Sequence, residues 1–154
     1  MKIVKIIQWD MGHRVMHHRS ICKGLHGHRY KAEICMSGDL VPESTASEEG
    51  MVIDFADIKK ISQEFIQKKL DHAFMVWEKD AELLNFFKES KGHKPVIVPF
   101  TPTAENVAAY IFHELQNKFS DIYKTGLHLH SIKLWETPTS YALYEVEKKM
   151  DINL

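Results

Sequence analysis

Cysteine is scarce in this chain, with two in 154 residues. Two thiols build no disulfide framework, and free cysteines suit a reducing compartment. Long apolar runs are missing as well. No stretch approaches the roughly 20 residues that a membrane-spanning helix needs, and the opening Met-Lys-Ile-Val-Lys-Ile-Ile-Gln is too short an apolar run for a signal peptide. The expected location is therefore cytoplasmic, with no membrane partner. Excess charge is absent: 20 Lys and Arg stand against 21 Asp and Glu, a formal net charge of -1, which gives no pull toward nucleic acid or anionic lipid. Linkers, internal repeats and low-complexity tracts are also lacking. What remains is 44% hydrophobic and 27% charged, the composition of a globular domain spanning 1–154 with room for a real core.

What the chain does have is histidine in pattern. The stretch Cys22-Lys23-Gly24-Leu25-His26-Gly27-His28 follows Met11-Gly12-His13 by a short loop. His26 and His28 open a segment that alternates like a strand, so both imidazoles point to one face. Gly27 between them lets a backbone or a ligand approach from the other face. Two such histidines are half of a tetrahedral Zn²⁺ site, and His13 would complete a three-ligand set with one coordination position free for chemistry. Cys22 is either a fourth ligand, which would close a structural site, or a nucleophile or base beside an open catalytic one. A second His-x-His at His128-Leu129-His130 shows that the spacing alone also arises by chance.

The remaining pattern is α+β. Residues 2–9 predict a strand that delivers His13 at its end. Arg14 to Lys23 is a polar loop in which His17 and His18 fit a solvated turn. His26 to Met36 alternates, with Tyr30, Ala32, Ile34 and Met36 on the histidine face and Cys35 on the other, as a bystander. Ser37 to Gly50 has the composition of an exposed hairpin connection, ended by Met51-Val52-Ile53. Asp54 caps a helix with Phe55, Ile58, Ile61 and Phe65 along one stripe, ending near Leu70, so Asp71 and His72 fit simple helix terminators. Asp80 to Lys88 is a shorter helix and 96–100 a brief strand. Thr103 caps a third helix striped by Val107, Ile111, Leu115 and Phe119. Two strands close the chain, 127–136 and 141–146, with His128, His130, Ile132, Leu134 and Glu136 on one face. Strand pairs alternating with helices imply an antiparallel sheet covered on one face by helices.

The sequence resembles the 6-pyruvoyl-tetrahydropterin synthase / 6-carboxy-tetrahydropterin synthase family. The resemblance rests on Trp9-Asp10-Met11-Gly12-His13-Arg14, then Cys22 to His28, Met51-Val52-Ile53-Asp54-Phe55, Leu70-Asp71-His72, Pro102-Thr103-Ala104-Glu105-Asn106 and Trp135-Glu136-Thr137. These motifs follow the family's order along nearly the whole chain. The resemblance implies the tunnelling (T-) fold: a four-stranded antiparallel sheet with two helices on one face, assembled as a β-barrel around a tunnel. It implies a homohexamer of two trimers, with active sites at subunit interfaces. It implies Zn²⁺ on His13, His26 and His28, proton transfer by Cys22, Asp71 and His72, and a pterin held by Glu136. The implied substrate is 7,8-dihydroneopterin triphosphate, whose phosphates could meet His17, His18, Arg19 and Lys23.

Two products occur in the family. Elimination of triphosphate with internal redox gives 6-pyruvoyl-tetrahydropterin. Further cleavage with loss of acetaldehyde gives 6-carboxy-tetrahydropterin, on the way to queuosine and other 7-deazaguanines. The cysteine four residues before His26 resembles the second, bacterial-type group. A non-catalytic, zinc-containing pterin-binding module is the reading outside enzymology. The sequence departs from the family pattern at Met11-Gly12, which replaces two small residues, in the long acidic 43–49 segment, and in an extra helix and strand within 73–100.

Overall fold

Alternation of buried and exposed side chains carries the first two strands of the computed structural model, which describes residues 1–44, 46–122 and 126–146. β1 (Lys2–His13) and β2 (His26–Ser37) pair antiparallel over their full length, from Lys2 opposite Ser37 to His13 opposite His26. One face of this pair buries Ile7, Trp9, Met11, Tyr30, Ala32 and Ile34. β1 runs farther than the sequence pattern of 2–9, because Met11 and His13 continue the buried alternation to the loop.

β2 is central. Its second neighbour is β5 (His128–Thr137), which pairs in turn with β6 (Ser140–Glu145). The expected hairpin after Ser37 therefore does not form. Residues 38–53 instead close on themselves, through Val41 N–H to Met51 O at 2.8 Å and Gly50 N–H to Val41 O at 3.0 Å. Val52 turns into the core instead of joining a strand, and within the acidic 43–49 segment Thr45 lies outside the described residues.

Among the described residues the sheet has six strands and not four, in the order β4-β3-β1-β2-β5-β6. β1, β2, β5 and β6 form an antiparallel set. The 73–100 segment adds β3 (Ala73–Trp77), parallel to β1, and β4 (Pro95–Val98), parallel to β3. The strand at Ala-Phe-Met-Val-Trp is short, and its apolar run carries no period that would separate it from the end of the preceding helix.

Three α-helices among the described residues complete the fold. α1 (Phe55–Phe65) starts where Asp54 accepts a hydrogen bond from Ala56 N–H at 2.7 Å. Its last turns widen into a π-helical segment, Ile66–Leu70, which buries Ile66 and Leu70. α2 (Ala81–Glu89) links β3 to β4. α3 (Ala104–Phe119), capped by Thr103, buries Val107, Ile111, Leu115 and Phe119 on one stripe, together with Ala108 and Phe112. α1 packs on β1 and α3 on β5 and β6, so the core lies between these helices and one sheet face. No helix among the described residues is long and apolar enough to cross a membrane.

Two departures from regularity shape β5. Its pairing with β2 skips His130, and its pairing with β6 skips Glu136. A bulge lets one strand carry a residue that the partner does not match, and it re-aims the side chains around it. The first bulge puts Leu129 and Ile132 in the core and leaves His128 exposed, so the predicted common face of His128, His130 and Ile132 is not realised. β2 in turn meets β5 only from Lys31 onward, and its residues 26–30 pair with β1 alone.

Arg14 ties the added segment to the rest, pairing with Asp80 and, at 2.7 Å, with Glu82. Arg14, next to His13, donates from Nε to Asp80 Oδ2 at 2.7 Å and from Nη2 to Asp80 Oδ1 at 2.6 Å. Asp80 is 2% exposed and also accepts from Leu83 N–H at the start of α2. The Arg14 guanidinium holds the Asp80 carboxyl below its ordinary value. A depressed carboxyl stabilises the fold above its unfolded pKa of about 3.9, and that stability is lost as pH falls through the folded value. Asp80→Ala should cost about 2 kcal/mol in urea denaturation at pH 7, the scale for losing hydrogen bonds to a charged group, since Arg14 keeps Glu82 as a partner. The deficit should shrink as pH falls below about 4 toward the depressed folded value, where the wild type also loses the charge.

Candidate metal centre and active site

The β1–β2 register builds the centre of the site. His13 stands opposite His26, and Met11 opposite His28, so the three imidazoles share the core face at the end of the pair. Their ring centroids lie 4.5 Å apart for His13 and His26, 5.2 Å for His13 and His28, and 5.1 Å for His26 and His28. Backbone close approach makes this possible. A Cβ on Gly27 would lie 3.2 Å from Met11 O, and one on Gly12 would lie 2.4 Å from the Phe74 ring. Met11 itself fills the core at 3% exposure, so the larger residue before His13 is absorbed by packing.

Hydrogen bonds set the tautomers. His13 Nδ1 is 2.6 Å from Pro102 O and His26 Nδ1 is 2.8 Å from Gly24 O. A carbonyl only accepts, so both Nδ1 atoms carry the proton and both Nε2 atoms offer a lone pair. His13 Nε2 is buried with no hydrogen-bond partner. Burial lowers the pKa of His13 and of His28, which keeps these rings in the neutral form that binds metal. One ligand atom from each of His13, His26 and His28 lies within 4.8 Å of the other two. An orphaned buried nitrogen, fixed tautomers and three convergent imidazoles fit a divalent metal with His₃ ligation.

The other predicted residues surround this cluster unevenly. Cys22 lies in a single 3₁₀ turn, Ile21–Lys23, and is half-buried. Val15 N–H donates to Cys22 O at 2.8 Å, which closes the loop between His13 and His26. Cys22 is not part of the 4.8 Å metal cluster, but it lines a cavity of about 360 Å³ with His13, His18, His26, Glu105 and Glu136. Glu136 Oε1 is 3.5 Å from His13 Nε2 and 4.0 Å from His28 Nε2. The Tyr30 hydroxyl is buried beneath, and burial followed by the Glu136 charge raises its pKa. Of the loop residues, His18 lines the cavity, His17 packs edge-on to Trp77, and Arg19 and Lys23 are exposed.

Asp71 and His72 do more than end a helix. Asp71 follows the π-helical segment, and His72 takes a left-handed backbone at φ 55°, the only non-glycine residue at positive φ among those described. Such a conformation is costly and persists where surroundings impose it. Here His72 N–H donates to Asp10 O at 2.8 Å, Asp10 N–H donates to Asp71 Oδ1 at 3.3 Å, and Lys94 Nζ donates to Asp71 O at 2.8 Å. His72 Nδ1 lies 3.0 Å from Asp71 Oδ1, and its side chain is 80% exposed. His72 lines a second cavity with Asp10, Gly12, His28 and Arg29. Cys22 and His72 thus do not line the same cavity of one chain.

The sequence assigns Asp10 and Arg29 no site role. They form a two-bond ion pair, at 3.0 and 2.9 Å, beside the Asp71–His72 dyad. Their cross-strand pairing could be found only from the β1–β2 register.

A family model described as 6-pyruvoyl tetrahydropterin synthase matches residues 2–147. The chain belongs to this family. It is 37% identical over 147 residues to the 6-carboxy-5,6,7,8-tetrahydropterin synthase of Haemophilus influenzae, covering 94% of this chain and 98% of that one. To the Rickettsia conorii protein of the same name it is 32% identical, over 91% of this chain and 96% of that one. Among solved structures, Caenorhabditis elegans 6-pyruvoyl tetrahydropterin synthase matches with TM-score 0.65 at 25% identity, covering 96% of each chain. An uncharacterised Wolinella succinogenes protein matches in fold, with TM-score 0.76 at 23% identity over 96% of this chain and 98% of that one.

The cluster makes a direct expectation. His26→Ala or His28→Ala should leave the folded protein unable to retain one equivalent of Zn²⁺ through desalting, measured by elemental analysis. His128→Ala and His130→Ala should retain it, since neither residue joins the cluster. A His130→Ala protein without metal would overturn the assignment.

Proposed function

We propose that this chain is a zinc-dependent 6-carboxy-5,6,7,8-tetrahydropterin synthase. It converts 7,8-dihydroneopterin triphosphate and water to 6-carboxy-tetrahydropterin, acetaldehyde and triphosphate, a carbon–oxygen and carbon–carbon lyase reaction in which the water supplies the second carboxyl oxygen. The observation that carries this reading is the set of three imidazoles aimed at one point, with Cys22 beside them and outside the cluster. The bacterial relatives' names select the product.

His13, His26 and His28 would hold Zn²⁺, which supplies Lewis acidity to the hydroxyl oxygens of the substrate's side chain. The chain's own residues do the rest. Cys22 takes a proton from the side-chain carbon. His72, oriented by the Asp71 carboxylate, exchanges protons on the other side. Glu136 accepts two parallel N–H bonds from the pyrimidine edge of the pterin and so fixes the ring's orientation.

The separation of Cys22 from the Asp71–His72 dyad supports an active site shared between copies. Exposed His72 of one copy would complete the cavity that holds Cys22 of the next. A homohexamer of two trimers, with sheets joined into a T-fold barrel, provides such contacts. This reading treats residues 1–154 as one catalytic domain working in the cytoplasm.

Cys22→Ala should retain zinc and pterin affinity while kcat falls by about 10²–10⁴, the range for a lost general base. Steady-state assays of acetaldehyde release, with mass spectrometry of the pterin, measure both rate and product. A Cys22→Ala protein without zinc would make Cys22 a ligand. A product retaining the three-carbon side chain would mark a 6-pyruvoyl-tetrahydropterin synthase instead.

A further inference from the structure

The peptide between Asp71 and His72 is held at both ends. Its N–H donates to Asp10 O at 2.8 Å, and its carbonyl, Asp71 O, accepts from Lys94 Nζ at 2.8 Å. Rotating this one unit by half a turn would carry Asp71, now at ψ 131°, into the right-handed helical region and His72 from φ 55° to negative φ. Both are favoured backbone regions, so an unrestrained unit would relax that way. His72 would then lose its place 3.0 Å from Asp71 Oδ1. The two partners oppose the flip. After it, the Asp71 carbonyl would face Asp10 O and the His72 N–H would face the Lys94 ammonium, acceptor to acceptor and donor to donor.

Lys94 reaches this peptide from the added 73–100 segment. It stands just before β4, where its carbonyl accepts from Phe74 N–H at 3.0 Å, and its Nζ also donates to Gln67 O at 3.3 Å. A lysine on the last carbonyls of a helix commonly stabilises that helix. Gln67 O is such a carbonyl. Asp71 O is not, since it lies past the end of the π-helical segment and belongs to the peptide that sets His72.

We propose that Lys94 is a positioning residue for the Asp71–His72 dyad. Its ammonium fixes the peptide that keeps His72 left-handed, and so keeps the imidazole on the Asp71 carboxylate. That the dyad moves protons rests on the functional reading above. The hold from Asp10 comes from its backbone and survives substitution, whereas the hold from Lys94 comes from a side chain. A charge-assisted hydrogen bond of this kind is about twice as strong as a neutral one. The segment that lengthens this chain thereby gains a part in the reaction: it delivers the cation that sets the backbone of a proton-transfer histidine.

The test uses the zinc-loaded full chain with Lys94→Met and Lys94→Gln, which keep the backbone bond to Phe74 and lose the ammonium. Each should retain Zn²⁺ and keep KM for 7,8-dihydroneopterin triphosphate within about 2-fold, the pattern of a group that acts only in the transition state. The kcat should fall about 10-fold or more, since a misplacement of about 1 Å can cost about 10²-fold. In a His72→Ala background neither substitution should lower kcat further, because Lys94 acts through His72. Crystals of the Lys94→Met protein should show His72 at negative φ, with Nδ1 out of hydrogen-bond reach of Asp71 Oδ1. Wild-type kcat in both variants, an equal fold loss with and without His72, or a left-handed His72 still on Asp71 in those crystals overturns the positioning role. Loss of the fold in both variants, read by circular dichroism, also overturns it. A wild type without turnover, or a His72→Ala protein with full kcat, overturns the functional reading instead, and the crystals still decide whether Lys94 holds His72.

Discussion

The antiparallel register of β1 against β2 is the constraint on which the site depends. It sets His13 opposite His26 and Met11 opposite His28. Side chains alternate with a period of two, so a slip of one residue would turn His13 away from the other two histidines and its buried partners toward solvent. The register is held by the core itself. Trp9 stacks on Tyr30 with centroids 5.6 Å apart and planes 18° from parallel, one step below the histidines. Offset aromatic pairs of this kind contribute beyond the area they bury. The Pro102 carbonyl then locks the His13 ring from the α3 side, so sheet and helix layer meet at one imidazole.

Much of this was legible in the residues, because period and cap chemistry are local. His26, His28, Tyr30, Ala32 and Ile34 alternate visibly, and Asp54 and Thr103 announce the helices that they cap. The three metal candidates were visible as types and spacing, and the structure brings those three together. What stayed hidden was non-local. β3 is five residues long and joins the sheet through parallel pairing with β1, a contact that no local pattern encodes. The two bulges in β5 leave no trace in its apolar alternation, yet one removes His128 and His130 from the core face and the other aims Glu136. Asp71 and His72 looked like helix terminators because a left-handed histidine after a π-helical segment is chosen by tertiary contacts to Asp10 and Lys94.

The 73–100 segment also gains meaning from its contacts. It looked peripheral as added sequence. In the structure Phe74 covers Gly12, and Asp80 grips Arg14, so the residues on either side of His13 are both held by this segment. Buried ion pairs are weak stabilisers when compared with apolar packing, and they serve register and orientation better. Arg14 and Asp80 fit that role, since the chain leaves β1 here and must turn at once into the loop that carries Cys22.

The open flank of β2 has a dynamic consequence. Among the described residues, 26–30 have β1 on one side and no strand on the other, so the metal-bearing end of β2 holds ladder bonds on one side only. Strand ends of this kind open locally at a free energy well below that of global unfolding. An ion that joins His26 and His28 to His13 acts there as a clasp across the two strands. Its binding energy adds to the closed state as RT ln(1 + [L]/Kd). With metal bound there, hydrogen exchange of the amides at this end of β2 would follow the supply of free metal, whereas exchange at the far end, around Ile34, would follow the core.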